Sequence, residues 1–122
     1  MKTVSLDTAG GYGDDDKYAE MMADFLCVNK TLEILLLNYF DCTDEGAKAF
    51  AASLKKNKAL QVLSLTQNSI GDDGAKAIAE ALTENETLQR LYLSKNKIGD
   101  EGVIVSSSWC LLLYSFFFFF EI

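Results

Sequence analysis

Hydrophobic and polar residues recur along this chain in a pattern that repeats every 28 residues. Leucine recurs at this interval in three columns, and glycine and asparagine recur in two more. The columns are Leu32, Leu60 and Leu88; Leu35, Leu63 and Leu91; Leu37, Leu65 and Leu93; Gly46, Gly74 and Gly102; and Asn29, Asn57 and Asn85. A period between about 20 and 50 residues is typical of a solenoid, in which each repeat packs on its neighbours. The pattern therefore predicts stacked repeats.

The first half of each repeat predicts a short β-strand. Leu63 and Leu65 alternate with Val62, Ser64 and Thr66, and alternation with a period of two favours a strand with one buried face. We expect the leucines to face the core and the intervening residues to face outward. The same argument applies to the repeats on either side. It predicts structural core positions at Leu35, Leu37, Leu60, Leu63, Leu65, Leu88, Leu91 and Leu93.

The second half of each repeat predicts an amphipathic helix. Ala75, Ile78 and Leu82 follow the i, i+3 and i+7 spacing of one apolar helical face. Asp72 and Asp73 come at the start of this segment, so we expect them to cap the first free amides of their own helix. Because one strand and one helix cannot bury their apolar faces alone, neighbouring repeats must stack into a continuous core.

The segments Leu60–Ile70 and Leu88–Ile98 share the pattern LxxLxLxxNxI, which resembles the leucine-rich repeat. The longer unit, with GDDGAKAIAEAL at Gly71–Leu82, resembles the ribonuclease-inhibitor type, which also occurs in NOD-like receptors and in Ran GTPase-activating proteins. The resemblance implies an α/β solenoid of about three and a half repeats, a horseshoe segment with parallel strands on its concave side and helices on its convex side. It further implies that Asn68 and Asn96 bond the loop backbone of stacked repeats.

Three regions follow from these patterns. Residues 1–16 form a degenerate N-terminal strand and loop, residues 17–102 hold the leucine-rich repeats, and residues 103–122 form an atypical hydrophobic, Phe-rich tail. The first full repeat is irregular, since Phe40 replaces the repeat asparagine and Cys42 replaces an isoleucine. We expect an end unit with a hydrophobic plug there, within a chain that is a fragment of a longer array.

The tail departs from the repeat pattern. Val103–Phe120 carries no charge and ends in five consecutive phenylalanines. As a helix it would extend about 27 Å, just short of a typical hydrocarbon core. Three interpretations stay open: a C-terminal membrane anchor, a buried cap, and the product of a truncated or misannotated reading frame. Four serines weigh against the anchor.

The amino-acid composition excludes several kinds of partner and catalytic site. With 18 acidic and 11 basic residues, the net charge of −7 disfavours nucleic acid as a partner. The chain lacks histidine, which excludes His-based catalytic triads and Cys₂His₂ zinc sites. Its three cysteines form no CxxC pair, and the first residues show no signal peptide, so we expect a reducing, cytoplasmic location. The Asp14–Asp16 run lacks the spacing of an EF-hand loop, and we expect neither a metal nor a cofactor.

The outward strand residues form the candidate binding surface, because a solenoid leaves the concave face of its sheet open. We expect them to contact a protein partner of unknown identity, with Arg90 and Tyr92 contributing most. They are Ile34, Leu36, Asn38, Val62, Ser64, Thr66, Arg90, Tyr92 and Ser94.

The sequence therefore predicts a protein–protein interaction module and not an enzyme. One alternative is a membrane repeat protein anchored through its tail. A second and weaker alternative is a GTPase-activating protein of the Ran-activator type, which rests on family analogy and on Arg90, the chain's single arginine.

Overall fold

The computed structural model describes residues 2–7, 15–38, 40–99 and 119–121. Within these ranges the elements follow one another as strand and helix in each repeat. They are β1 (Thr3–Asp7), α1 (Asp15–Val28), β2 (Ile34–Asn38), α2 (Asp44–Leu54), β3 (Val62–Ser64), α3 (Asp72–Leu82), β4 (Arg90–Tyr92) and β5 (Phe119–Glu121). The strands form a single parallel sheet in the order β1-β2-β3-β4-β5. This architecture confirms the predicted α/β solenoid segment.

The register of the sheet reproduces the 28-residue period. Ile34 pairs with Val62 and Val62 with Arg90, so equivalent residues of three repeats lie side by side. The alternating leucines consequently stack in columns beneath the sheet, where their side chains are buried. The repeat leucines with less than one-tenth of their surface exposed are Leu32, Leu35, Leu37, Leu60, Leu63, Leu65, Leu88, Leu91 and Leu93.

The helices cover the other side of this leucine layer. Phe50, Leu54, Ile78 and Leu82 extend from α2 and α3 into the same core. The helices also approach one another closely at the glycine of each first turn. A Cβ atom added to Gly74 would lie 2.9 Å from Cβ of Ala47, which is closer than side chains tolerate. The recurring glycine is therefore a packing residue.

The helix caps differ from the sequence prediction, which paired each aspartate with its own helix. Asp72 lies within α3, and the N-cap residue Gly71 has no side chain to cap the helix. Oδ1 of Asp44 in the preceding repeat instead accepts hydrogen bonds from the amides of Gly71 and Gly74, at 2.6 and 3.1 Å. The prediction was wrong about the partner because stacking brings the neighbouring carboxylate over the helix end.

The same bond recurs in the adjacent repeats. Oδ1 of Asp16 accepts the amide of Thr43, the N-cap residue of α2, at 2.9 Å, and Oδ1 of Asp72 accepts the amide of Gly99 at 2.6 Å. The three carboxylates Asp16, Asp44 and Asp72 thus form an aspartate ladder, in which the carboxylate of one repeat bonds the backbone of the next.

At the N-terminal end, β1 adds a strand to the sheet in register with β2, and α1 begins two residues before the predicted repeat boundary. Phe40 is buried, as expected of a plug, and its ring packs edge-on against Tyr18 with centroids 6.3 Å apart. α1 also exposes an apolar stripe, with side chains that are 41 to 76% accessible. The stripe comprises Tyr18, Met21, Phe25 and Val28.

Most of the tail lies outside the described residues, as do the glycines at 10–13 and Cys110. The backbone of β5 belongs to it and pairs with β4 in parallel. Among the described residues, no helix has the length and apolar character that crossing a bilayer requires. The three interpretations of Val103–Phe120 stay predictions.

Candidate functional site

The sheet arranges six of the predicted surface residues in two rows, one residue per strand. The upper row is Ile34, Val62 and Arg90, and the middle row is Leu36, Ser64 and Tyr92. Thr3 and Ser5 of β1 extend these two rows by one strand. Thr3 and Ser5 are not among the predicted surface residues, although the alternation of Val4 with polar neighbours carries the same signal.

Apolar side chains dominate one part of this face. Ile34, Leu36 and Val62 are partly exposed, while the leucines beside them in the chain are fully buried. β2 is therefore apolar on both sides, since its two faces carry Leu35 and Leu37 inward and Ile34 and Leu36 outward. A surface that keeps such side chains in contact with water is typical of a binding site.

The other three predicted surface residues, Asn38, Thr66 and Ser94, form a polar lower row that is hydrogen-bonded to Ser64 and within itself. Asn38 ends β2, and Thr66 and Ser94 each follow a strand by two residues. Oγ of Ser64 donates to Oδ1 of Asn38 at 2.7 Å and lies 3.3 Å from Oγ1 of Thr66. Oγ1 of Thr66 in turn lies 3.4 Å from Oγ of Ser94. Because the neighbouring side chains enclose it, Ser64 is only 5% exposed. Ser64 therefore presents little side-chain surface, and its hydroxyl contacts Asn38 and Thr66.

Arg90 and Tyr92 occupy the last full repeat of the face. The side chain of Arg90 is exposed and that of Tyr92 is partly buried. Their backbones are held by the sheet, since the amide of Arg90 donates to the carbonyl oxygen of Gln61 and the carbonyl oxygen of Tyr92 accepts from Leu65. A cation and an aromatic ring thus stand on a fixed backbone next to the apolar residues.

Known proteins match this geometry. A family model described as Leucine Rich repeat matches residues 56–79 and 84–105. Residues 56–79 and 84–105 are thus leucine-rich repeats. A solved structure described as Leiomodin-1 Actin-Binding Site 2 (ABS2) has a TM-score of 0.80 and 23% identity, over 99% of this chain and 69% of that chain. This likeness shows the fold. No curated protein sequence matches the chain.

The leucine-rich repeats are locked together by their asparagines. Nδ2 of Asn68 donates to the carbonyl oxygens of Leu37 and Leu65 at 2.9 and 2.8 Å. Its Oδ1 accepts the amides of Phe40 and Cys42, both at 3.0 Å. Asn96 repeats the arrangement one unit later, with Leu65 and Leu93 as its acceptors. Both asparagines therefore bond the loop backbone of adjacent repeats, as the resemblance implies.

A second asparagine ladder lies at the opposite edge of the repeats. Nδ2 of Asn57 donates to the carbonyl oxygen of Leu26 at 2.8 Å, and its Oδ1 accepts the amide of Leu60 at 2.7 Å. Asn85 does the same with Leu54 and Leu88. The sequence shows that Asn57 and Asn85 are 28 residues apart. It does not show their hydrogen bonds, because the acceptors belong to the preceding helix.

The thiol of Cys42 is not activated. Cys42 is buried, and burial together with the nearby carboxylates of Asp16 and Asp44 raises the pKa of its thiol from 9.0 to about 12. Both causes disfavour the thiolate, so Cys42 stays protonated at neutral pH. This supports the interpretation of Cys42 as a small core residue.

Proposed function

We propose that this protein is a non-enzymatic interaction module that binds a protein partner on the concave face of its sheet. The observation that carries the proposal is the fixed, in-register arrangement of the apolar residues Ile34, Leu36 and Val62 beside Arg90 and Tyr92. Protein interfaces combine a desolvated apolar centre with aromatic and arginine side chains that contribute most of the binding energy.

The composition of the face indicates what kind of surface it accepts. The apolar residues of β2 and β3 favour apolar side chains on the partner, and the Arg90 guanidinium favours a carboxylate. The lower row of hydroxyl and amide groups is already internally bonded, so it presents a polar rim. The finer assignment to the ribonuclease-inhibitor type is also proposed here, on the support of the 28-residue unit and its 11-residue helices α2 and α3.

Actin is the first partner to test, because the solved leiomodin structure is described as an actin-binding site.

A photo-crosslinking amino acid makes the test independent of the partner's identity. We place it at Tyr92 on the concave face and, as a matched control, at the exposed Glu80 on α3. Crosslinking of a protein through position 92 and not through position 80 supports the proposal. Equal crosslinking at both positions contradicts it.

Substitution of Tyr92 by alanine tests the contribution of a single side chain. We expect folding to be retained, and we expect binding of the crosslinked partner to weaken by about 2 kcal/mol, the usual threshold for a dominant interface residue. Titration calorimetry and a thermal melt provide the two measurements.

The control variant carries Met21→Ser and Phe25→Ser in the apolar stripe of α1. It should bind as the parent protein does. Loss of binding in this variant with full binding by the Tyr92→Ala protein would place the interface on α1 and overturn the concave-face proposal.

A further inference from the structure

Four lysines gather at the edge of the solenoid where the helices end and the strands begin. Lys30 follows the end of α1 by two residues, Lys56 follows the end of α2 by two residues, and Lys2 immediately precedes β1. Lys58 completes the group, which we call the lysine edge. All four side chains are exposed, in a chain whose net charge is −7.

The lysine edge surrounds two adjoining clefts. The first, of about 300 Å³, is lined by Lys30, Lys56 and Lys58 together with Cys27, Asn29, Asn57 and Ala59. The second, of about 490 Å³, is lined by Lys2, Lys30 and Lys58 together with Thr31, Glu33, Ala59 and Gln61. Since Lys30, Lys58 and Ala59 line both, the clefts form one continuous depression.

The positive charge of this depression is not neutralised within the described residues. The ion pairs in that part of the chain join Lys48 to Glu45 at 3.5 Å and Lys55 to Glu84 at 3.7 Å, and neither involves the lysine edge. Glu33 is the one acidic residue lining the two clefts. Four lysines therefore surround a depression that is lined by a single carboxylate, that of Glu33.

Comparison with the third repeat shows that the fold does not require these lysines. Glu86 occupies the repeat position of Lys30 and Lys58, and Glu84 occupies that of Lys56. The equivalent cleft beside them, of about 300 Å³, is lined by these two glutamates as well as by lysines. Cations near a helix C-terminus are favoured by the helix dipole, but α3 ends beside acidic residues. The structural role of helix capping thus does not account for the lysines.

We propose that the lysine edge binds an acidic segment of a partner protein, an extended stretch of polypeptide rich in Asp and Glu. Carboxylates along such a segment match lysines spaced along a continuous depression. Glu84 and Glu86 mark where the positive surface ends, so the segment lies over the first two repeats. The net charge of the chain opposes any anionic ligand, and it opposes nucleic acid most because nucleic acid has the higher charge density, which favours a polypeptide ligand. The site is separate from the concave face, although Glu33 and Gln61 immediately precede Ile34 and Val62.

The test uses the whole chain and a short fluorescein-labelled oligoglutamate, followed by fluorescence anisotropy. The decisive variant is Lys30→Glu/Lys56→Glu/Lys58→Glu, which copies the residues that the third repeat already carries and is therefore expected to fold. We expect it to weaken binding by about tenfold or more, and we expect parent binding to weaken with added salt.

Two further variants control for total charge. Lys95→Glu/Lys97→Glu reverses two charges at the opposite edge and should lose much less binding free energy per reversed charge than the triple variant does. Glu84→Lys/Glu86→Lys extends the lysine edge and should bind more tightly than the parent. Equal losses of binding free energy per reversed charge in the triple variant and the opposite-edge variant would show attraction by net charge alone and overturn the proposal. Undiminished binding by the triple variant would also overturn the proposal, and so would tighter binding of a single-stranded oligonucleotide that carries the same charge as the oligoglutamate.

If the triple variant does not melt cooperatively, Lys58→Gln replaces it and is compared in the same way with Lys95→Gln. Crosslinking at Tyr92 is measured separately, so the two proposals fail independently.

Discussion

At the scale of single residues, what a side chain contributes depends on the repeat that lies next to it. Asp44 stands at the start of α2, yet its carboxylate caps α3. Asn57 lies beyond the end of α2, yet its amide bonds the end of α1. Substitutions at these positions should therefore act on a neighbouring repeat.

Replacing Asp44 by alanine tests this dependence. The amides of Gly71 and Gly74 lose their acceptor, and loss of a helix cap costs about 1–2 kcal/mol of unfolding free energy. Urea denaturation measures the loss, and amide hydrogen exchange should accelerate in the first turn of α3 before it does in α2. Asp73→Ala, at an exposed position of the same turn, should cost less. An equal loss in the two variants would contradict the aspartate ladder.

The buried thiol gives a second prediction at this scale. With its pKa raised to about 12, Cys42 holds almost no thiolate at neutral pH, so it should react slowly with a disulfide reagent in the folded protein. The contribution of this protonated thiol to stability is present below pH 9 and is lost as the pH rises toward 12. The measurement uses a Cys110→Ser background with Cys27 as the internal comparison. Equal rates for Cys27 and Cys42 in the native state would refute the prediction.

The sequence pattern predicted which residues are buried in the core better than it predicted which polar groups contact one another. The burial of Leu63 follows from alternation along its own strand, a local property of the sequence. The caps supplied by Asp44 and the enclosure of Ser64 depend on groups about 26 to 30 residues away, whose position is set by the stacking. Sequence spacing revealed that such residues recur, but not which atoms they meet.

At the scale of elements, helix packing explains the recurring glycine. Alanine normally stabilises a helix relative to glycine by about 1 kcal/mol. In α3, however, a Cβ at position 74 would lie 2.7 Å from Oδ1 of Asp44 and 2.8 Å from Cγ2 of Ile70. Intrinsic helix propensity would favour alanine at this repeat position, but the close packing excludes its Cβ.

Gly74→Ala should accordingly reverse the usual sign and lower the unfolding free energy, by about 1–3 kcal/mol as expected of overpacking. Gly99→Ala serves as the control, because its Cβ would lie 3.4 Å from the nearest atom, an ordinary contact. Chemical denaturation of both variants is sufficient. A Gly74→Ala protein more stable than the parent would show that α2 and α3 are free to move apart.

Elements at the ends of the array were the least predictable. Alternation of Val4 and Leu6 indicated the strand that became β1, but its place in the sheet depends on pairing with β2. The Phe-rich tail contributes β5, which no repeat pattern indicates because the tail lacks the leucine columns. The 28-residue periodicity predicts the strands and helices inside the repeats, but it does not predict elements outside them.

At the scale of the whole molecule, the leucine columns make the repeats one cooperative unit. Leu35, Leu63 and Leu91 are adjacent in the sheet and fully buried. Leu63→Asp places a charge without a partner in the middle of this layer, and burying such a charge is incompatible with a marginally stable fold. Circular dichroism should show loss of the thermal transition. A parent-like melting curve would contradict the described core.

The aspartate and asparagine ladders also constrain how the length of this protein can change. Their hydrogen bonds between repeats join residues 26 to 31 positions apart, so the addition of a single residue inside a repeat separates the donor from the acceptor in every bond that spans it. Duplication of a whole 28-residue unit instead gives each donor an equivalent acceptor. Such a chain therefore tolerates insertions and deletions of complete 28-residue units, because these preserve the spacing between its carboxylates and amides.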